Sequence, residues 1–282
     1  MKTRNIIITG GHSGIGLALT RKLVGEGHKV GVIARSEDRL HELRDAISPS
    51  QVDFFSADLA NQSDIQTVIE QVQTDWDKVD ILFNNAGVLL GDLSWSPQKN
   101  EMHYEVNTLA PLLLTLGLKP MLDKSANPAV VNTSTDPVVN AKTIDFDVLL
   151  SPKKITKLFG SYVVSKTAMT AAMAFAAKAP EWANVSITSV APGAIKTKMT
   201  NGPGMPKWLI PLRNLFFSSP EKGADRLYNA AFGNNPSGTF LAGSKPKPMR
   251  IKLVNSTFEK VISGLEDKET LAKDVLKESG RA

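Results

Sequence analysis

Tyr162 and Lys166 stand four residues apart in the run Tyr162-Val163-Val164-Ser165-Lys166. On an α-helix that spacing puts both side chains on one face, about a turn apart, so a phenol and an ammonium can converge on one point. A free tyrosine, with a pKa of about 10, is a poor acid–base catalyst near neutral pH. A cation on the same face favours the phenolate and offsets that handicap. The pair therefore offers proton transfer to or from a reacting oxygen. Tyr and Lys at this spacing also decorate ordinary helix surfaces, so the pair gains meaning from what precedes it.

What precedes it is Thr9-Gly10-Gly11-His12-Ser13-Gly14-Ile15-Gly16, between a predicted strand and a predicted helix. Glycines permit the tight turn and let the backbone approach a pyrophosphate at the helix N-terminus, where free N–H groups and the helix dipole favour negative charge. The candidate nucleotide contacts are Gly10, Ser13, Gly14, Ile15 and Gly16. The next predicted strand ends at Ala34-Arg35-Ser36. An acid there would bond a ribose 2′-hydroxyl and repel a 2′-phosphate, whereas Arg35 offers paired donors to a phosphate. We expect NADP(H) in preference to NAD(H), with Glu37 and Asp38 as competing partners for Arg35.

The elements that must position these groups follow from the pattern of the chain. Short β-branched runs at Asn5–Thr9, Lys29–Ala34, Val52–Ala57, Val79–Phe83, Ala129–Thr133, Val185–Ala191 and Thr239–Leu241 read as strands. Helical stretches lie near Ile15–Glu26, Glu37–Ala46, Ser63–Trp76, Met102–Met121, Ser161–Ala177 and Glu221–Ala231. Ser63 and the Ser219-Pro220-Glu221 run look like helix starts. The alternation predicts a Rossmann-type, doubly wound α/β fold of about seven parallel strands with helices on both faces. With no repeat or linker, residues 1–282 read as one domain carrying an insertion near residues 194–219. That insertion holds Pro203, Pro206 and Pro211 among Trp208, Leu209, Ile210 and Phe216. It suits an apolar lid over a ligand, or a loop packed on its own core or on a partner chain in a homo-oligomer.

Taken together, the motifs resemble the short-chain dehydrogenase/reductase family over most of the chain. They occur in order: Thr9–Gly16, Asp58, Asn84-Asn85-Ala86-Gly87, Asn107, the Tyr162/Lys166 pair, and Pro192-Gly193 leading to Thr197. The resemblance implies that Asp58 contacts the adenine and that Asn84, Ala86 and Gly87 form the cofactor edge. It implies that Pro192, Gly193, Ile195 and Thr197 border the nicotinamide. Tyr162 would be the general acid, Lys166 would lower its pKa and hold the nicotinamide ribose, and Asn107 would support a water-linked relay to Lys166. Residues Lys142–Leu149 and Ser219–Ala224 are similar to segments of the retinol-dehydrogenase-like and protochlorophyllide-reductase-like branches.

One departure stands out. The family carries a Ser beside the Tyr, at the second position of a Ser-Ser pair, whereas this chain reads Asn132-Thr133-Ser134-Thr135. Thr135 is our choice for that hydroxyl over Ser134; it offers the same donor and acceptor with a stiffer χ1. The expected activity is NADPH-dependent carbonyl reduction, reversibly alcohol oxidation, on an apolar or aromatic substrate. A non-catalytic NADP(H) sensor and a C=C reductase are the competing readings.

Composition limits the remainder. The 282 residues are 42% hydrophobic and 22% charged, enough apolar material for a large core. The net charge of +5 is thinly spread, thickening around Lys245, Lys247, Arg250 and Lys252, and nothing points to nucleic acid. With no cysteine there is no disulfide, thiolate metal site or Cys nucleophile, and we assign no metal. Neither a signal-like start nor a membrane-length apolar run is present, so a cytoplasmic protein without an integral membrane segment is expected.

Overall fold

The computed structural model describes residues 2–35, 43, 51–206 and 217–266. Its strands are β1 (Asn5–Thr9), β2 (Lys29–Ala34), β3 (Val52–Ser56), β4 (Ile81–Asn84), β5 (Ala129–Thr133), β6 (Ser186–Ala191), β7 (Thr239–Ala242) and β8 (Lys245–Lys247). They form one sheet in the order β3-β2-β1-β4-β5-β6-β7-β8, parallel through β7 and antiparallel at β8. This is the doubly wound arrangement expected, with an eighth strand added. The Lys245-Pro246-Lys247 segment of β8 is exposed throughout and has no apolar alternation to betray it.

The described helices are α1 (Gly14–Gly25), α2 (Gln62–Asp75), α3 (Met102–Tyr104), α4 (Ala110–Gly117), α5 (Lys119–Leu122), α6 (Phe146–Leu150), α7 (Ser161–Ala176), α8 (Pro220–Phe232) and α9 (Asn255–Val261). The period-two pattern of the strands divides the core between the two faces. Ile7, Leu82, Val130 and Ile187 pack with residues of α2, α4 and α7, such as Val68, Leu112 and Met169. Ile6, Ile8, Val32, Phe83 and Val131 pack with Leu19 and Leu23 of α1 and Leu227 of α8. Each such side chain contributes about 1.5–3 kcal/mol on burial.

Two local readings change. Asn61, not Ser63, caps α2: its side chain accepts the Ser63 N–H, and the helix starts one residue earlier. The single helix expected over Met102–Met121 is broken into α3, a π-helical turn at Glu105–Leu109, α4 and α5. The stretch after β5 contains a 3₁₀ turn at Asp136–Asn140 and α6, whose first turn is capped by Asp145. The helix expected at Glu37–Ala46 falls outside the described residues apart from Leu43, as do residues 207–216 of the expected insertion. Among the described residues, no helix is long and apolar enough to cross a membrane, and no three potential metal ligands cluster.

Candidate active site

The sheet order reverses between β1 and β4, so the loops leaving their C-terminal ends part and open a crevice, where ligands of this fold class bind. Thr9 ties the two loops together. Its Oγ1 accepts the N–H groups of Asn85 (3.0 Å) and Ala86 (2.9 Å), and its carbonyl accepts Asn85 Nδ2 (3.0 Å). The turn out of β1 needs left-handed backbone at Gly10 (φ 67°) and Gly14 (φ 52°). α1 then begins with Ser13 at its cap and no side-chain bond to its first N–H groups. A helix N-terminus left open in this way suits a pyrophosphate.

Two cavities meet at this turn, sharing Gly10, His12, Ala86 and Gly87. The larger, about 660 Å³, is walled by Ala34, Arg35 and Asp58, and the smaller, about 310 Å³, runs to Thr135, Tyr162 and Lys166. Together they run from Arg35 to Tyr162 across the β1–β4 crevice, the place where dinucleotides bind in this fold class. Arg35 is well exposed, with Nη1 3.8 Å from Asp58 Oδ2, so its guanidinium stands over the larger cavity. Pro192, Gly193, Ile195 and Thr197 line the smaller one, with Ser13 and Ile15 opposite.

α7 presents Tyr162 and Lys166 to the end of β5. Lys166 Nζ donates to the Thr133 carbonyl at 2.8 Å, and Thr135 lines the same cavity as Tyr162, where its hydroxyl favours the phenolate. Ser134 faces away: it is buried, and its Oγ lies 2.7 Å from Thr170 Oγ1. Successive residues of an extended chain point to opposite sides, so only one of the two hydroxyls can reach Tyr162. Asn107 Oδ1 accepts the Val88 N–H (2.9 Å) while its Nδ2 bonds the Val88 carbonyl and Ser165 Oγ. The side chain is thus consumed in joining the β4 loop to α7, from a position inside the π-helical turn. Gly87 lets these groups converge: a Cβ there would stand 2.8 Å from Asn107 Oδ1 and 3.3 Å from Lys166 Nζ.

Three expectations need correction. Asn84 does not face either cavity; it is buried at the end of β4, where its Nδ2 donates to Thr115 Oγ1 and Asn132 Oδ1. Its neighbour Asn85 lines the crevice instead. Gly16 packs against the turn rather than the cavities, since a Cβ there would lie 2.2 Å from the Gly10 carbonyl oxygen. Lys166 does not bring the Tyr162 phenol down: burial dominates and pushes it up to about 12, opposed by the Thr135 hydrogen bond and assisted by the Asp136 charge. The same burial brings the Lys166 ammonium down to about 8. His12, which lines both cavities, was overlooked although it stands inside the Gly-rich turn.

The family profile described as short chain dehydrogenase matches residues 4–142. The chain is 30% identical to retinol dehydrogenase 12 of Mus musculus over 234 residues, 82% of this chain and 73% of that protein. It is 27% identical to the fatty acyl-CoA reductase of Acinetobacter baylyi over 236 residues, again 82% and 73%. Among solved structures it is similar to L-sorbose reductase from Gluconobacter frateurii complexed with NADPH and L-sorbose, at a TM-score of 0.65 and 23% identity, covering 86% of this chain and 95% of that one. Salutaridine reductase from Papaver somniferum gives a TM-score of 0.65 at 20% identity, covering 85% and 99%.

Proposed function

The chain belongs to the short-chain dehydrogenase/reductase family, and from that premise we propose that it is an NADPH-dependent reductase of apolar aldehydes or ketones. Membership makes it an oxidoreductase of carbonyl and alcohol groups that uses a nicotinamide cofactor. The finer reading is carried by one arrangement: Tyr162, Thr135 and Lys166 share the cavity that begins at the Gly10–Gly14 turn, with Lys166 one helical turn from Tyr162.

A bound NADPH supplies the hydride. The open N-terminus of α1 holds its pyrophosphate, Arg35 its 2′-phosphate, and Asp58 and Ala34 flank its adenosine half. Ala86, Gly87, Pro192, Gly193, Ile195 and Thr197 border the nicotinamide half, and Lys166 holds that ribose. As charge develops on the substrate oxygen, Tyr162 gives it a proton and Thr135 bonds it, so that the growing negative charge is met by two hydroxyls already in place. A phenol pushed up to about 12 remains protonated at neutral pH, which suits a donor in the reductive direction. An apolar substrate agrees with Met199 in the wall of the smaller cavity. It also agrees with relatives whose names carry retinol and fatty acyl chains.

The test is a panel of aliphatic, aromatic and polyene carbonyls followed by NADPH absorbance, on the parent chain and Tyr162→Phe. Turnover lost in the variant, with NADPH binding retained, is the expected result. NADPH binding without turnover across the whole panel would favour a sensor, and full activity in Tyr162→Phe would remove the acid assigned here.

A further inference from the structure

A buried acid–base pair that the scheme above leaves unused stands beside the loop leaving β4. Glu101, the cap of α3, and His103 within that helix are each 1% exposed. His103 Nε2 accepts the Leu90 N–H at 2.9 Å, so that nitrogen carries no proton. The proton therefore sits on Nδ1, which donates to Glu101 Oε1 at 2.7 Å. The other carboxylate oxygen accepts the N–H groups of His103 (3.0 Å) and Tyr104 (3.2 Å). Glu101 thus fixes the tautomer and ring orientation that Leu90 needs. Asn107, four residues on, takes Val88 by both its N–H and its carbonyl. Two side chains of one continuous segment hold alternate residues of the loop.

The loop so held borders both ligands' space. Val88 and Leu90 line the larger cavity with Arg35 and Asp58, and Ala86 and Gly87 just before them line both cavities. The same stretch seats the start of the insertion. A Cβ on Gly204 would lie 2.6 Å from the Leu89 carbonyl oxygen and 2.7 Å from that of Leu90, and one on Gly91 would lie 2.9 Å from the Pro203 carbonyl oxygen. Backbone packs on backbone there, so a displacement of Leu90 must move Pro203 and Gly204 or open a gap. Those residues follow Met199 and Thr200, which line the smaller cavity.

Burying a carboxylate with an imidazole is costly, and an apolar pair of similar volume is often as stable. We propose that the Glu101–His103 pair serves to position: by fixing the Leu90 peptide it sets the wall of the larger cavity and the seat of the insertion together. His103 is then a positioning residue for both NADPH and the carbonyl substrate. This rests on those ligands occupying the cavities as proposed above. The proton donor and its neighbours lie on α7 and after β5, so ligand affinities move while the chemical step does not.

The experiment compares His103→Gln, His103→Leu and Gly204→Ala. Gln offers Leu90 an acceptor and Glu101 a donor, whereas Leu offers neither. The readouts are NADPH affinity by fluorescence titration, KM and kcat for whichever carbonyl in the panel turns over, and exchange of the Leu90 amide hydrogen by NMR. His103→Leu should weaken NADPH binding and raise KM by about tenfold each, the worth of one lost hydrogen bond, with kcat held within about threefold and Leu90 exchange accelerated. His103→Gln should restore most of these losses. Gly204→Ala, which pushes on the Leu89 and Leu90 carbonyls and leaves the pair intact, should raise KM and speed Leu90 exchange. If His103→Leu does not fold, Gly204→Ala decides alone, and an unmoved KM or an unmoved exchange rate there overturns the proposal. So does a His103→Gln chain as impaired as His103→Leu, or a kcat that falls while KM and NADPH affinity hold. Weakened NADPH binding and faster exchange in His103→Leu, recovered in His103→Gln, in a chain that reduces nothing would keep the clamp and sink the reductase reading. Normal turnover with NADPH affinity, KM and exchange unmoved by His103→Leu and Gly204→Ala would do the reverse.

Discussion

The division of labour between Thr135 and Ser134 yields the sharpest prediction. Thr135→Val keeps the shape of the side chain and deletes the hydroxyl that shares the cavity with Tyr162. Removing one preorganised donor to a developing oxyanion costs about 10²–10³-fold in kcat, or about 2.7–4 kcal/mol. Thr135 is only partly buried and Val fills the same volume, so the melting temperature should hold. Ser134→Ala should do the opposite. It deletes a buried hydroxyl 2.7 Å from Thr170 Oγ1. Thr170 keeps its own bond to the Lys166 carbonyl at 2.7 Å and is not orphaned. The cost should then be about 1 kcal/mol, the net value of one hydrogen bond. That corresponds to a fall of roughly 2–4 °C in a chain of this size, with activity changed no more than a few-fold. Steady-state kinetics and thermal melts on both variants give four numbers. Unchanged kcat in Thr135→Val together with a collapse in Ser134→Ala would show that the hydroxyls had been assigned in reverse.

Other substitutions test neighbouring parts of the argument. Gly87→Ala sets a methyl 2.8 Å from Asn107 Oδ1; it should lower kcat at least about tenfold and destabilise by about 1–3 kcal/mol, the usual range for overpacking. Kinetics and a denaturant melt check both. Arg35→Ala should weaken NADPH binding roughly 10- to 100-fold, as expected for one charge-assisted contact, leave NADH nearly unaffected, and reduce the salt dependence of NADPH binding measured by titration. Lys166→Met should abolish activity yet stabilise the fold near neutral pH by up to about 3 kcal/mol. Burial lowers the folded-state ammonium from 10.5 to about 8, so the folded chain holds that proton less tightly than the unfolded chain does. The cost is complete below about 8 and fades as pH rises toward 10.5, so the melting-temperature gain of the variant should shrink across that window. A gain that grows with pH would contradict the sign.

Much of this was legible in the chain because strands advertise themselves. β1, β2 and β5 begin and end where their β-branched runs do, since an alternating apolar run between turn residues has few other places to go. The Tyr162/Lys166 spacing survived for a similar reason: α7 is helical throughout, and helical geometry alone puts those residues together. What failed depended on contacts between distant segments. Nothing local in Met102–Met121 signals a π-helical turn, which accompanies the bonds from Asn107 to Val88 and Ser165. Asn84 and Asn85 are identical in type, and which one enters the crevice depends on where β4 ends. The Tyr162 phenol is governed by desolvation, a property of everything packed around it and not of one cation at a fixed spacing.

β8 bears on how copies of this chain can meet. A parallel sheet that ended at β7 would offer an open row of backbone donors and acceptors to any neighbouring strand. Here that row is taken by three exposed residues whose centre is a proline without an N–H and whose flanks are two lysines. A second copy approaching this edge would bring like charges face to face and find the ladder interrupted. The sheet is closed to growth at this end.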